Sequence, residues 1–488
     1  MSARFRLLTR TLPAPVDLET VFERLYAGSP TAFWLDSAQA EPGLARFSFA
    51  GDGSGPLAEA VRYDVTSGVT EIERPGRPAR RTRAGIFDVL ADRLARRRID
   101  APELPFDFAC GYVGYFGYEL KADCGSPNRH RSPAPDACWL FADRLIAVDH
   151  QERATRLLCL CEDTPAGRRD ATAWLDATAE ALRGIPEPAA SGPPPPVVAD
   201  TAAAEPWLVR DRARYIADIR ACQAALRAGE SYEICLTNTA RLPAPRDRDP
   251  FGFYRALRRA NPAPYAAFLR FGEVRVACSS PERFLRVDRT GHAEARPIKG
   301  TAPRSADPAA DRALRAALGT SAKARAENLM IVDLLRNDLG RVCVPGSVTV
   351  PRLMATETYA TVHQLVSTVR GRLRDGVTAL DAVRACFPGG SMTGAPKLRT
   401  MEIIDSLETE ARGVYSGAIG YLGCTGAADL NIVIRTAVFT GGALRLGAGG
   451  AIVLDSDPDE EYEEMLLKTA APMRAYHSWL SGNEPFTR

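Results

Sequence analysis

The 488-residue chain is 45% hydrophobic and 25% charged, with a formal net charge of +2. That is ordinary globular composition, and the length calls for one very large domain or two to three smaller ones. Near-balanced charge argues against nucleic acid or a membrane surface as partner, and no stretch of about 18 apolar residues offers a transmembrane span. Eleven cysteines show no Cys-x-x-Cys spacing and the five histidines are far apart, so zinc-finger geometry is absent and reduced thiols are expected. Residues 1–20 mix Arg4, Arg6 and Arg10 with Asp17 and Glu19 around no apolar core, which is not a secretory signal. A cytoplasmic enzyme is expected.

Taken in order, 32–35 and 45–50 read as strands across a polar turn, and 85–97 as a helix with Ile86, Val89, Leu90 and Leu94 at helical spacing. The glycine-aromatic run 111–118 lacks the basic residue and strand-to-helix context of a phosphate loop. Strands are predicted at 144–148 and 156–161 and a helix at 170–182. Residues 186–208, with four consecutive prolines at 193–196, read as a stiff linker between an N-terminal region, 1–185, and a catalytic region, 209–480. Beyond it come a helix at 211–228, a strand at 232–240, a helix at 251–261, strands at 265–271 and 274–287, and a helical stretch at 309–339 broken near Gly319. Adjacent strand-like runs at 417–422, 430–439 and 444–453 precede a final helix at 460–476. Strands that come in runs favour antiparallel sheets with helices outside, an α+β fold.

Five constellations could carry chemistry. Lys299 lies in a Pro-x-x-Gly turn, 297–300; the plain alternative is a solvated surface lysine. Glu327, Asp333 and Asp338 stand among apolar residues on one helix, either holding a cation or pairing with neighbours such as Arg336. Glu461 and Glu464 share a helix face with Lys468 one turn on, a pattern that suits Mg²⁺ or a solvated helix start. The glycine-rich 388–397 can offer amides to a carboxylate or be an ordinary loop. Arg435, inside the predicted strand 430–439, needs an anion or an internal salt bridge, and Gly447, Ala448 and Gly449 follow as a strand with amides to spare. Together they describe a pocket for a substrate with carboxylates.

The segments PIKGT (297–301), AENLMIVDLLRNDLGRV (326–342), GGSMTGAPK (389–397), YSGAIGY (415–421), NIVIRTAV (431–438) and GAGGAIVLDSDPDEEYEEMLLK (447–468) resemble, in order, those of the chorismate-utilising enzymes. FWLDSA (33–38) and NPAPY (261–265) resemble the amidotransferase-dependent branches. The resemblance implies the anthranilate synthase component I-like fold, two large antiparallel sheets packed as a sandwich with helices outside. It implies chorismate as substrate and Mg²⁺ as cofactor, held by Glu327 and Glu464 with Glu461 nearby. It further implies Arg435, Tyr415 and the amides of Gly447 to Gly449 on the enolpyruvyl carboxylate. Glu282 becomes the acid for the departing C4 hydroxyl, His363 an active-site histidine, and Thr301 and Lys468 pocket residues.

Lys299 falls where the aminodeoxychorismate synthase branch carries lysine and the anthranilate synthase branch alanine. The implied chemistry is a covalent adduct at C2, then ammonia at C4, giving 4-amino-4-deoxychorismate for 4-aminobenzoate and folate. A nucleophilic amine must be neutral, so the site has to lower its pKa, as nearby Arg and Mg²⁺ would, or remove a proton through a neighbour. No Gly-x-Cys-x-Gly nucleophile turn occurs, so ammonia is expected from a glutamine amidotransferase partner. Ser37, Pro264 and Tyr265 match a pocket that holds tryptophan in relatives; Asp36 stands where anthranilate synthases favour glutamate, which speaks against feedback inhibition.

Overall fold

The computed structural model describes residues 4–38, 45–101, 103–188, 200–359 and 362–482. Most of the expected linker, including its proline run, lies outside the described residues. The fold is the α+β arrangement the strand runs called for. One sheet has 11 strands and the other 12, and every named strand pairing within them is antiparallel. No described helix is long and apolar enough to cross a membrane.

Both sheets are built from both sides of the linker. Thr31–Asp36 pairs with Tyr265–Phe271 in the first, and Gly111–Phe116 with Ala418–Gly423 in the second. Alternation along each strand explains the packing, because successive side chains point to opposite faces. Phe33, Leu269 and Val276 enter the core shared with Val61, Tyr112 and Trp139 of the other sheet. Their neighbours Trp34, Phe268 and Ala277 enter a second core, under Pro250–Ala260 and Pro458–Ser481. Strands of the first sheet are therefore buried on both faces, which is why their sequences read as unbroken apolar runs.

Helices follow their sequence signals. Asp211 caps Arg212–Arg227 by accepting the Arg214 amide, and Asp457 caps Pro458–Ser481 through the amides of Asp459 and Glu460. The stretch read as broken near Gly319 is two helices, Pro308–Thr320 and Ala322–Gly340, with Ser321 capping the second.

Candidate active site

The lysine turn is not a surface turn. Ile298–Pro303 is an edge strand paired with Val362–Arg372, and it carries one residue more than its partner between Ile298 and Thr301. Gly300 sits at this bulge with φ +86°, where a side chain would be strained, and a Cβ there would lie 2.8 Å from that of Ala324. The bulge leaves Lys299 buried, its side chain 10% exposed, with Nζ donating to Glu233 Oε1 at 2.6 Å.

Glu233 begins the strand Glu233–Pro243, held between Gly394–Ala395 and Ala443–Ile452. Nothing in the spacing ties it to a lysine 66 residues away. The available signal was an acid heading the apolar run Ile234-Cys235-Leu236, since a buried carboxylate requires a partner. Burial works against the charge on Lys299, but Glu233 and Glu327 outweigh it and raise its pKa above the ordinary value. Of the two routes to a neutral amine, the surroundings therefore favour proton removal by a neighbour.

Glu327 approaches from Ala322–Gly340 and makes no ion pair with another described residue. Burial raises its pKa, Lys299 opposes this, and Glu233 and Glu461 add to it. The other acids of its helix are spoken for: Asp333 by Arg336, and Asp338 by Arg341 and Lys397. From the last helix, Glu461 accepts from Ser456 Oγ at 2.7 Å and Lys323 Nζ at 3.2 Å, while Glu464 pairs with Lys468 at 2.7 Å. A Cβ on Gly450 would lie 3.2 Å from Glu461 Oε2, 3.4 Å from Lys468 Nζ and 3.9 Å from Glu464 Oε1, so the bare backbone lets both carboxylates and the ammonium come close to the strand. Among the described residues, no three potential ligands are gathered closely enough to hold a metal by themselves.

Glu282 is 7% exposed. Burial pushes its pKa up to about 7, against the pull of Lys299, the Ser391 hydroxyl and the Ile298 amide. Ser391 belongs to the glycine-rich stretch, whose Gly394–Ala395 pairs with Glu233 and Ile234.

Arg435 does not lie within a strand. The run 430–439 divides into Ala428–Ile432 of the second sheet and Thr436–Thr440 of the first, and Arg435 makes the crossing with φ +53°. Its Nη1 donates to the Lys468 carbonyl at 3.2 Å, and no described carboxylate forms an ion pair with it. Burial lowers its pKa, with Tyr415 and Glu464 acting the other way. The Tyr415 ring covers Gly447, where a Cβ would come within 2.3 Å of it. Ala443–Ile452 pairs with Thr436–Thr440 only as far as Leu446, so from Gly447 onward that edge has no strand partner. Lys468 Nζ donates to the Gly449 carbonyl at 2.7 Å, and the Ala448 methyl packs away from this edge with Tyr215 and Ile219.

Two expected pocket residues are less engaged. Thr301 is exposed just past the bulge. His363 is buried, but its Nδ1 bonds Thr358 Oγ1 at 2.9 Å and its Nε2 bonds Asp311 Oδ1 at 3.0 Å, which leaves neither nitrogen for a ligand.

A residue the sequence reading missed ties the site together. Arg412, buried, donates to both oxygens of Glu408 and to the carbonyls of Met392 and Cys235, and its guanidinium stacks 4.4 Å from the Tyr118 ring centroid. Glu408 also takes the amide and hydroxyl of Thr237. The network clamps the Glu233 strand to the Ser391 loop. Arg412→Met is expected to cost about 3–5 kcal/mol in chemical denaturation, because it strands a buried carboxylate; a loss under about 1 kcal/mol would show that the pair is not structural.

Ser37, Pro264 and Tyr265 line a separate cavity of about 370 Å³ with Phe47, Phe106 and Tyr421. The Tyr265 hydroxyl is buried there without a hydrogen-bond partner. Asp36, at its edge, is taken by Arg258 Nε at 2.6 Å and Tyr254 at 3.0 Å.

Fold and site together define a two-sheet α+β protein with a lysine–glutamate pair held between its strands and an arginine that forms no ion pair with a described carboxylate. Residues 55–474 match the chorismate binding enzyme family, and the chain belongs to that family. It is 50% identical to an aminodeoxychorismate synthase of Streptomyces griseus over 99% of this chain and 66% of that protein. It is 46% identical to the chloroplastic aminodeoxychorismate synthase of Arabidopsis thaliana over 92% of this chain and 51% of that one. The chain thus spans from about half to two thirds of the length of these relatives. Anthranilate synthase component I of Streptococcus pneumoniae superposes with a TM-score of 0.72 at 29% identity, covering 89% of this chain and 93% of that structure.

Proposed function

We propose that this chain converts chorismate and ammonia to 4-amino-4-deoxychorismate, with Lys299 as covalent nucleophile. The observation that carries the proposal is the Lys299 side chain, 10% exposed with its Nζ 2.6 Å from Glu233 Oε1, its charge pulling down the pKa values of Glu282 and Glu327 against their burial. The names of the two curated relatives support the same activity. Arg435, which has no ion-pair partner among the described residues, suits one substrate carboxylate, with the Tyr415 hydroxyl and the strand edge from Gly447 to Gly449 beside it. Lys299 adds at C2, and Glu282, whose pKa of about 7 keeps much of it protonated near neutrality, gives its proton to the oxygen leaving C4. Ammonia then adds at C4 and Lys299 is expelled.

Glu327, Glu461 and Glu464, the last two facing the bare backbone of Gly450, suit a hard cation that takes few protein carboxylates and completes its shell with water and substrate. Mg²⁺ held there would supply Lewis-acid charge to the ring carboxylate. The ammonia is proposed to come from a glutamine amidotransferase partner. Ten of the eleven cysteines are buried, the other is partly so, and none lies in a nucleophile turn. The aromatic cavity at Ser37, Pro264 and Tyr265 is proposed to accept tryptophan, its unpartnered hydroxyl offering one polar contact.

The test is direct: protein, chorismate, Mg²⁺ and ammonium at alkaline pH, with products separated by chromatography. 4-Amino-4-deoxychorismate, converted to 4-aminobenzoate by its lyase, is the expected product. Anthranilate as the main product would refute the proposal, and no turnover would favour a silent chorismate-binding homologue.

A further inference from the structure

Two buried carboxylates that serve the fold, Glu59 and Glu408, are filled with donors, while two others, Asp136 and Asp143, each take one backbone amide and keep one oxygen bare among the described residues. Glu59 receives Arg74, Arg93, Arg97 and the Tyr112 hydroxyl, and Glu408 receives Arg412 through both oxygens together with the Thr237 amide and hydroxyl. Glu233 differs from all four in that its single donor is an ammonium. Its side chain is 1% exposed, and among the described residues its Oε1 has one donor, Lys299 Nζ, and its buried Oε2 has none. A carboxylate held by several cationic donors cannot take up a proton without breaking them. One held by a single ammonium can take the proton of that same bond and leave a neutral hydrogen-bonded pair.

Both partners are fixed in place. The Glu233 backbone is strand-paired on two sides, and its carbonyl accepts Ser231 Oγ at 2.9 Å. Lys299 stands on the Gly300 bulge. The 2.6 Å contact is thus set by two independent elements.

We propose that Glu233 is a catalytic residue that takes the proton Lys299 must lose before its nitrogen bonds to C2, and returns it when that nitrogen is expelled. The inference rests on the reading of Lys299 as nucleophile. In the first step the Lys299 proton passes to Glu233 Oε1 and the freed pair forms the N–C2 bond. The C1–C2 π pair moves to C1–C6 and the C5–C6 pair to C4–C5. The C4–O bond breaks, and the Glu282 proton makes the leaving group water. In the second step ammonia bonds to C4, the π pairs move back, and the C2–N bond pair returns to Lys299, which recovers its proton from Glu233. The surplus proton on the new C4 amine restores the acid form of Glu282. The sum is chorismate plus ammonia giving 4-amino-4-deoxychorismate plus water.

Glu233→Gln keeps the size and one acceptor of the side chain but cannot hold the proton. In the ammonium assay it is expected to lower kcat by about 10²-fold or more while KM for chorismate stays within about threefold. Glu233→Ala, should the first variant fold poorly, is expected to be equally slow and to regain rate with added formate or acetate, the more basic carboxylate being more effective; a merely structural role would show no such order. A folded Glu233→Gln enzyme with kcat within about threefold of wild type overturns the proposal, as does a Glu233→Ala enzyme that no carboxylate restores. Lys299→Ala, run alongside, separates the two levels: if it retains wild-type kcat, the nucleophile reading has failed, whereas if only it is inactive, the role of Glu233 alone has failed.

Discussion

Lys299→Ala is expected to lower the rate of 4-amino-4-deoxychorismate formation by at least about 10³-fold, because the proposed route through C2 has no other nucleophile. The fold should persist, at a cost in stability. The lysine lies on an edge strand beside a bulge that Gly300 shapes, and its one hydrogen bond is to Glu233. Loss of the ammonium leaves Glu233 unpaired, which costs about 3–5 kcal/mol with the carboxylate charged and less once it takes up a proton. Truncation also opens space beside C2, so residual turnover is expected to shift toward products of direct addition there. Chromatography of the ammonium reaction distinguishes these outcomes, and wild-type rates in the variant would exclude a covalent role.

Glu282→Gln should be nearly as damaging, slowing turnover by about 10²- to 10⁴-fold, the usual worth of a general acid. A pH signature accompanies it. Burial holds the wild-type carboxyl at about 7, so the acid form is depleted as pH rises past that value. With free ammonia held constant, the wild-type rate should fall above about pH 7, and the glutamine variant should lack that limb. Stability runs in the same direction. A carboxyl whose pKa is raised by folding contributes stability below its unfolded value near 4.5, and loses it as pH rises through about 7. Glu282→Gln should therefore be no less stable than wild type at pH 8, so lost activity there would not be lost folding. A rate at fixed ammonia that does not change between pH 6 and 9 would contradict the assignment.

Much of the architecture was legible because local signals agreed with it. Tyr265–Phe271 and Arg212–Arg227 occupy, to within a residue, the ranges their sequences mark, and the helix break fell at Ser321, two residues from the glycine that suggested it. Arg435 shows where periodicity fails: Leu430 to Phe439 reads as one apolar strand, yet the chain changes sheets within it. Both halves are buried, and the left-handed residue between them leaves no mark in an alternation pattern.

The candidate site divides along similar lines. Glu461, Glu464 and Lys468 could be placed together because one helix sets their spacing. Glu233 could not, since only the folded chain brings Lys299 near it, and of the partners of Arg412 only Glu408, four residues before it, is local, while the Met392 and Cys235 carbonyls are not. His363 was named through family resemblance, and its contacts with Thr358 and Asp311 come from neighbouring elements that no local pattern connects to it.

The most direct measurement is of Lys299 itself. The protein is mixed with chorismate and Mg²⁺ without ammonia, quenched in acid on the time scale of one turnover, digested, and its peptides weighed. The account predicts that the peptide bearing Lys299 gains the mass of chorismate less water, that Lys299→Ala does not, and that adding ammonium before the quench discharges the label as 4-amino-4-deoxychorismate. An unmodified Lys299 peptide from enzyme that turns over normally with ammonium would contradict it.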